Sequence, residues 1–304
     1  GALGAAVVPA VGGLLTEGLS WEAIFFVQVP LALACLLALR GLPAPLSESS
    51  HQTRPDVRHL TALACLGAGL TAALFLLVLL LVAGWRASPI GAALTVSVMP
   101  LAALAASRLS LPAATGPVLV AGGLAALGLL PEADVVWTIV PQVFVGIGLG
   151  VSLGPLTEAA LQGRTPLVLH GGWTLAARHA GVVAALALLT PMFNADLEEQ
   201  ELRATESVLA RLLDSGLDPT TKLNVGLRLA GALDSTTNEV PDIGPAFDQA
   251  RPRAGEAARL ARLQTQVEGE LDKAATKAFE RSFLVAALLS LLALVPLLWP
   301  RRTA

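Results

Sequence analysis

Arg178 and Glu158 are the residues whose charge and placement first suggest chemistry. Arg178 lies about seven residues inside the apolar run 171–192, roughly 10 Å deep at 1.5 Å per residue. Glu158 follows the apolar run 135–153. Charge at membrane depth is costly, so such residues are functional candidates. The two are expected to pair across a helix interface; the alternative is a snorkelling Arg178 beside a solvated Glu158. His179, next to Arg178, is of a type that carries protons near neutral pH, or else bonds locally. Gln28 and Gln142 are uncharged polar groups well inside apolar runs. Each is expected either to line a cavity near the bilayer midplane or to hydrogen-bond between helices. No Asp or Glu stands near the middle of a complete apolar run.

The elements that position these residues are read from hydropathy. Of 304 residues, 54% are hydrophobic and only 14% charged, against about a quarter charged in soluble domains. The charge is segregated: 16 acids and 10 bases lie between Asn194 and Glu280, leaving 7 acids and 10 bases for the rest. A crossing takes about 20 apolar residues. Eight runs are candidates: 1–15, 22–39, 60–83, 89–107, 114–130, 135–153, 171–192 and 281–299, of which 114–130 is the shortest complete one. Trp21, Trp85, Trp137, Trp173 and Trp299 all fall at run ends, as an interfacial aromatic belt requires. Alternate connections carry Arg40, Arg54, Arg58, Arg108, Arg164, Arg301 and Arg302 on one side, and Arg86 alone on the other. The positive-inside rule then places the C-terminus in the cytoplasm and the long acidic segment outside, in a multi-pass protein of the cell (inner or plasma) membrane.

Several function classes fit poorly. Cys35 and Cys65 lie within apolar runs and read as small hydrophobes, with no disulfide framework or metal cluster. No basic patch with interleaved aromatics points to nucleic acid. A membrane enzyme such as a lipid-linked transferase would need clustered Asp, His or Lys at one membrane face, and none is found. The expectation is a non-enzyme with no cofactor, whose partners are the lipid bilayer and a small molecule.

Residues 4–15 read GAAVVPAVGGLL, and the next segment reads LSWEAIFFVQVPLALA. Proline and paired glycines are poor helix formers in water, but in lipid they allow a bent span and close backbone approach. The pattern resembles the fifth and sixth spans of the major facilitator superfamily, in its drug:proton antiporter branch. Gly4, Pro9, Gly12 and Gly13 match the antiporter motif, with Val8 where glycine is usual; Trp21, Ile24, Phe25 and Pro30 match the next signature, while Glu22, Ala23 and Gln28 depart from it. Gly146, Gly148, Gly150 and Pro155 resemble the Gly-rich tenth span, and Arg178 with Gly181 the eleventh. The resemblance implies an all-α integral membrane fold, a major-facilitator-type bundle of which about eight of twelve spans are present. It also implies multidrug-type export of small amphipathic molecules by alternating access, with a proton gradient as energy source. Gly4, Pro9, Gly12 and Gly13 would then serve packing and gating. A metabolite or siderophore exporter of the same fold is an alternative, as is a membrane-anchored extracytoplasmic sensor.

This numbering divides the chain into 1–39, the last two spans of an N-terminal bundle; 40–59, a cytoplasmic linker rich in Pro and Ser; 60–192, the first five spans of a C-terminal bundle; 193–280, an extracytoplasmic helical insert; and 281–304, the last span and tail. His51 and His59 are expected to be solvated in the linker. Within the insert, Leu260, Leu263, Val267 and Leu271 form one helical stripe, and Asp218-Pro219 reads as a helix start. A helical hairpin over the outer mouth is expected there. The chain opens at Gly1 inside an apolar run, so a fragment lacking earlier spans, and with them the coupling carboxylate, is expected. Seventeen arginines against three lysines suggest a GC-rich bacterial source.

Overall fold

The computed structural model describes residues 11–20, 22–39, 52–235, 243–250 and 256–299, and among them no strand occurs. The helices are α1 (11–18), α2 (Ala23–Leu39), α3 (Val57–Leu79), α4 (Pro89–Val96), α5 (Val98–Ala106), α6 (Thr115–Gly128), α7 (Val135–Leu161), α8 (Leu167–Asp214), α9 (Pro219–Ser235), α10 (Gly244–Asp248), α11 (Ala257–Leu291) and α12 (Leu294–Leu298). Their starts carry the expected capping chemistry. Asp56 accepts from the His59 amide at the head of α3, Ser88 from Gly91 before α4, and Asp134 from Val136 before α7. Asp218 accepts from the Thr220 amide at 3.1 Å, with Pro219 at the first position of α9.

Among the described residues, five helical stretches are long and apolar enough to cross a membrane: Val57–Gly84, Pro89–Ala106, Val135–Leu161, Leu167–Asp214 and Ala257–Leu298. They correspond to five of the eight expected runs. The apolar parts of α2 (Phe26–Ala38) and α6 (Thr115–Gly128) are shorter, and 1–10 lies outside the described residues. Run 89–107 is divided at Ser97. Pro100, lacking an amide proton, leaves the Val96 carbonyl without its helical donor, and the Ser97 hydroxyl turns back onto the Ala93 carbonyl at 2.7 Å. A π-helical turn, Leu80–Gly84, ends the α3 stretch, where the Trp85 amide donates to the Leu80 carbonyl at 2.8 Å.

In the bundle, α7 packs between α5 and α6, α3 against α8, α7 and α11, and α11 against α8, α6 and α3. Leu63, Leu66, Leu76, Leu124, Phe279 and Phe283 are among the fully buried side chains of its core. Outside it, large apolar side chains such as Phe26, Leu37, Val168, Leu175 and Val183 face outward. Water would make such a surface a liability, whereas hydrocarbon makes it the ordinary exterior of a membrane protein.

Segment 193–280 does not begin at a break. α8 runs 48 residues without interruption past Phe193, and α11 runs 35 residues into the bundle. The two form the walls of a cap closed by α9 and α10. Its own apolar core contains Val208, Leu212, Val225, Ile243 and Phe247 together with Leu260, Leu263, Val267 and Leu271, the stripe legible in the sequence.

Candidate functional site

The bundle interfaces are built on glycine. On α7, Gly146 and Gly150 meet the Met99 and Ala103 carbonyls of α5, where an added methyl would overlap backbone oxygen. Gly148, on another face, lies where a Cβ would stand 2.6 Å from the Gly116 carbonyl of α6. The α3–α8 contact is reciprocal. Gly181 rides against the Ala64 carbonyl, and a Cβ on Gly67 would stand 2.8 Å from the Arg178 carbonyl. Contacts of this kind suit a lipid setting, where dispersion and weak backbone contacts replace hydrophobic force between helices.

Of the positions that resemble the antiporter motif, Gly4 and Pro9 lie outside the described residues. Gly13 is placed against the start of α4, where a Cβ would come within 2.9 Å of the Pro89 carbonyl. Gly12 faces open space, and its carbonyl accepts from the Thr16 hydroxyl at 2.9 Å. Nearby, the Ile90 amide donates to the Glu17 carboxylate at 3.3 Å, tying α1 to α4.

Gln142 is wholly buried in α7. Its amide nitrogen donates to the Thr138 hydroxyl at 3.0 Å, and that hydroxyl donates to the Val135 carbonyl at 2.7 Å. The Gln142 Oε1 atom has no partner among the described residues. Its hydrogen bonding is thus within one helix, with an acceptor left open in the bundle interior. Gln28 stands on the exposed surface of α2. Glu158 and Arg178 are both exposed, and no ion pair joins them in this structure. His179 bonds locally, its Nδ1 2.9 Å from the Leu175 carbonyl.

Two polar clusters escape a reading by sequence. At the N-terminal end of α3, His59 lies 2.9 Å from Asp56 instead of standing free in solvent, and Arg164 reaches the same carboxylate at 3.3 Å. His170, 2% exposed, meets the Thr53 hydroxyl at 3.0 Å, while the Thr53 amide donates to the Thr165 carbonyl at 2.9 Å. Arg58 donates to the Leu297 carbonyl. Burial raises the Asp56 pKa, but hydrogen bonds from His59 and the charges of His59 and Arg164 outweigh it and hold the carboxyl below its ordinary value. At the opposite end, Trp85 donates to the Thr276 hydroxyl at 3.0 Å, Arg86 pairs with Asp272 at 3.4 Å, and Arg281 with Asp196 at 3.4 Å. Partners so distant in the chain leave no local signal; only the tryptophan at a run end marks one of these contacts beforehand.

Among the described residues, no three His, Cys, Asp or Glu side chains converge as a metal site would need. No protein-family model matches the chain, and no curated protein matches it.

Proposed function

We propose that the chain is part of a major-facilitator-type transporter that exports small amphipathic organic molecules by alternating access, driven by proton antiport, with the cap outside the cell membrane. The observation that best supports this reading is the glycine-built bundle interior, with the unpaired Gln142 oxygen inside it and the antiporter-motif Gly13 seated against α4. Close backbone contacts at glycine suit helices that tilt against one another. A buried amide oxygen without a donor suits a site that is periodically opened to a polar ligand. In this reading Gly13 serves gating, Gln142 lines the cavity, and Glu158 and Arg178 face other parts of the assembly.

The test is dye export by everted vesicles from cells expressing the complete gene, with and without a protonophore. Export is expected to collapse with protonophore. It is also expected to fall at least fivefold in Gly13→Leu and Gln142→Ala with protein levels maintained, a loss corresponding to about 1 kcal/mol. Vesicles that handle a panel of cationic and neutral dyes like empty-vector vesicles would overturn the exporter reading.

A further inference from the structure

We propose that the groove between α8 and α11 at the foot of the cap binds a phosphate group, presented either by a phospholipid headgroup or as the free anion. The groove has a volume of about 250 Å³ and is lined by Gln200, Arg203 and Ser207 from α8 and by Glu270, Lys273 and Lys277 from α11. That volume lies below the roughly 300–1,000 Å³ of pockets for drug-sized ligands and suits a small headgroup.

Charge selects an anion. Lys273 and Lys277 stand four residues apart on one helix face, a spacing at which like charges repel. Their neutralisation is incomplete. Glu270 is shared between Arg211 at 2.6 Å and Lys273 at 3.6 Å, and Lys277 has no ion-pair partner among the described residues. Arg203 adds a third cation from the facing helix, held by Glu199 one turn away. Four cations against two carboxylates make this a positive groove in an insert that is acidic as a whole. The Gln200 amide and the Ser207 hydroxyl supply neutral donors beside them.

Position favours a headgroup. Lys277 is four residues before Arg281, where the last apolar run begins, a rise of about 6 Å along the helix. The polar layer flanking bilayer hydrocarbon is of that thickness, about 5–8 Å on each side. Lys277 would meet lipid phosphates there, while Lys273 and Arg203, further along their helices, line the outer part of the groove that stays open to solution.

The test uses the full chain in detergent with two probes: phosphatidylglycerol in mixed micelles, and inorganic phosphate in the same buffer without lipid. Phosphatidylcholine serves as the zwitterionic control. The variant is Arg203→Gln/Lys273→Gln/Lys277→Gln, and a second triple, Arg228→Gln/Arg259→Gln/Arg262→Gln, removes equal charge elsewhere on the cap. Wild type and the second triple are expected to retain phosphatidylglycerol, and the first triple to lose about a hundredfold in affinity, about fivefold for each charge near an anionic surface. Saturable binding of inorganic phosphate, lost in the same triple, would identify the free anion as the source. If both triples bind both probes within about twofold of wild type, or if both lose binding equally, the groove is not an anion site.

Discussion

Replacing Gly181 by alanine adds one methyl group and should separate α8 from α3. The new Cβ would overlap the Ala64 carbonyl oxygen, and backbone on both sides leaves no side chain able to swing away. Overpacking a fitted contact costs about 1–3 kcal/mol. Gly172, on the same helix, has nothing within 4 Å of where the added methyl would stand, so the same substitution there gains up to about 1 kcal/mol of helix propensity. The two identical chemical changes should therefore differ by about 1–4 kcal/mol. At about 2–4 °C per kcal/mol for a domain of this size, that is a gap of roughly 2–16 °C. Cys65 gives the readout. It is half-buried on α3 beside Ala64, whereas Cys35 on α2 is exposed and is changed to serine. A thiol-reactive dye followed during heating of the detergent-solubilised protein reports when α3 comes free. Gly181→Ala should melt first, wild type next, and Gly172→Ala last or with wild type. If Gly181→Ala melts with or after Gly172→Ala, the α3–α8 backbone contact does not hold the bundle together.

Other substitutions test other parts. Gln142→Leu removes a buried acceptor without a partner, so stability should be unchanged or raised by about 1 kcal/mol in the same melting assay, while the proposed function requires that dye export fall. Asp56 stabilises the α3 end through its lowered pKa. Its contribution is complete above the ordinary carboxylate value of 3.8 and is lost as pH falls through the lower folded value. Asp56→Asn should cost about 1–2 kcal/mol at neutral pH and flatten the acid limb of a melting series run between about pH 2 and pH 6. Leu263, 2% exposed in the cap core, should cost about 2–5 kcal/mol of local stability when changed to alanine. Hydrogen exchange is expected to accelerate in α9 and α10, with Cys65 in the bundle unaffected.

The parts legible in the sequence are those with a short-range signature. The Leu260, Leu263, Val267 and Leu271 stripe announces a buried helix face, and all four side chains are buried in the cap core. Asp218-Pro219 announces the start of α9. Gly146, Gly148, Gly150 and Gly181 stand out in the sequence only through the family resemblance, and their close contacts, like the helix each one meets, depend on chain topology. Hydropathy locates the apolar segments but not where their helices end. The polar residues after Phe193 carry enough helix formers to prolong α8, so the boundary of the apolar run is invisible in the backbone. The Asp56–His59 contact lies within one turn, a spacing that is legible locally, but the Pro- and Ser-rich stretch before it masks the helix start. Arg164 and Thr165, which complete that cluster, come from the distant α7–α8 connection.

The continuity of α8 also gives the cap mechanical leverage. Beyond Phe193 the helix extends another 21 residues to Asp214, about 30 Å at 1.5 Å per residue. A rigid rod of that reach turns a tilt of about 10° inside the bundle into a sweep of about 5 Å at its tip. Pro191, at the base of this arm, is the natural fulcrum, since proline removes one rung of the helical ladder. With α11 as a second arm clasped through the cap core, the two helices cannot splay at the membrane without shearing Val208 and Leu212 past Leu263 and Val267. A binder that clamps the cap would therefore act as a brake on the bundle at a distance from it.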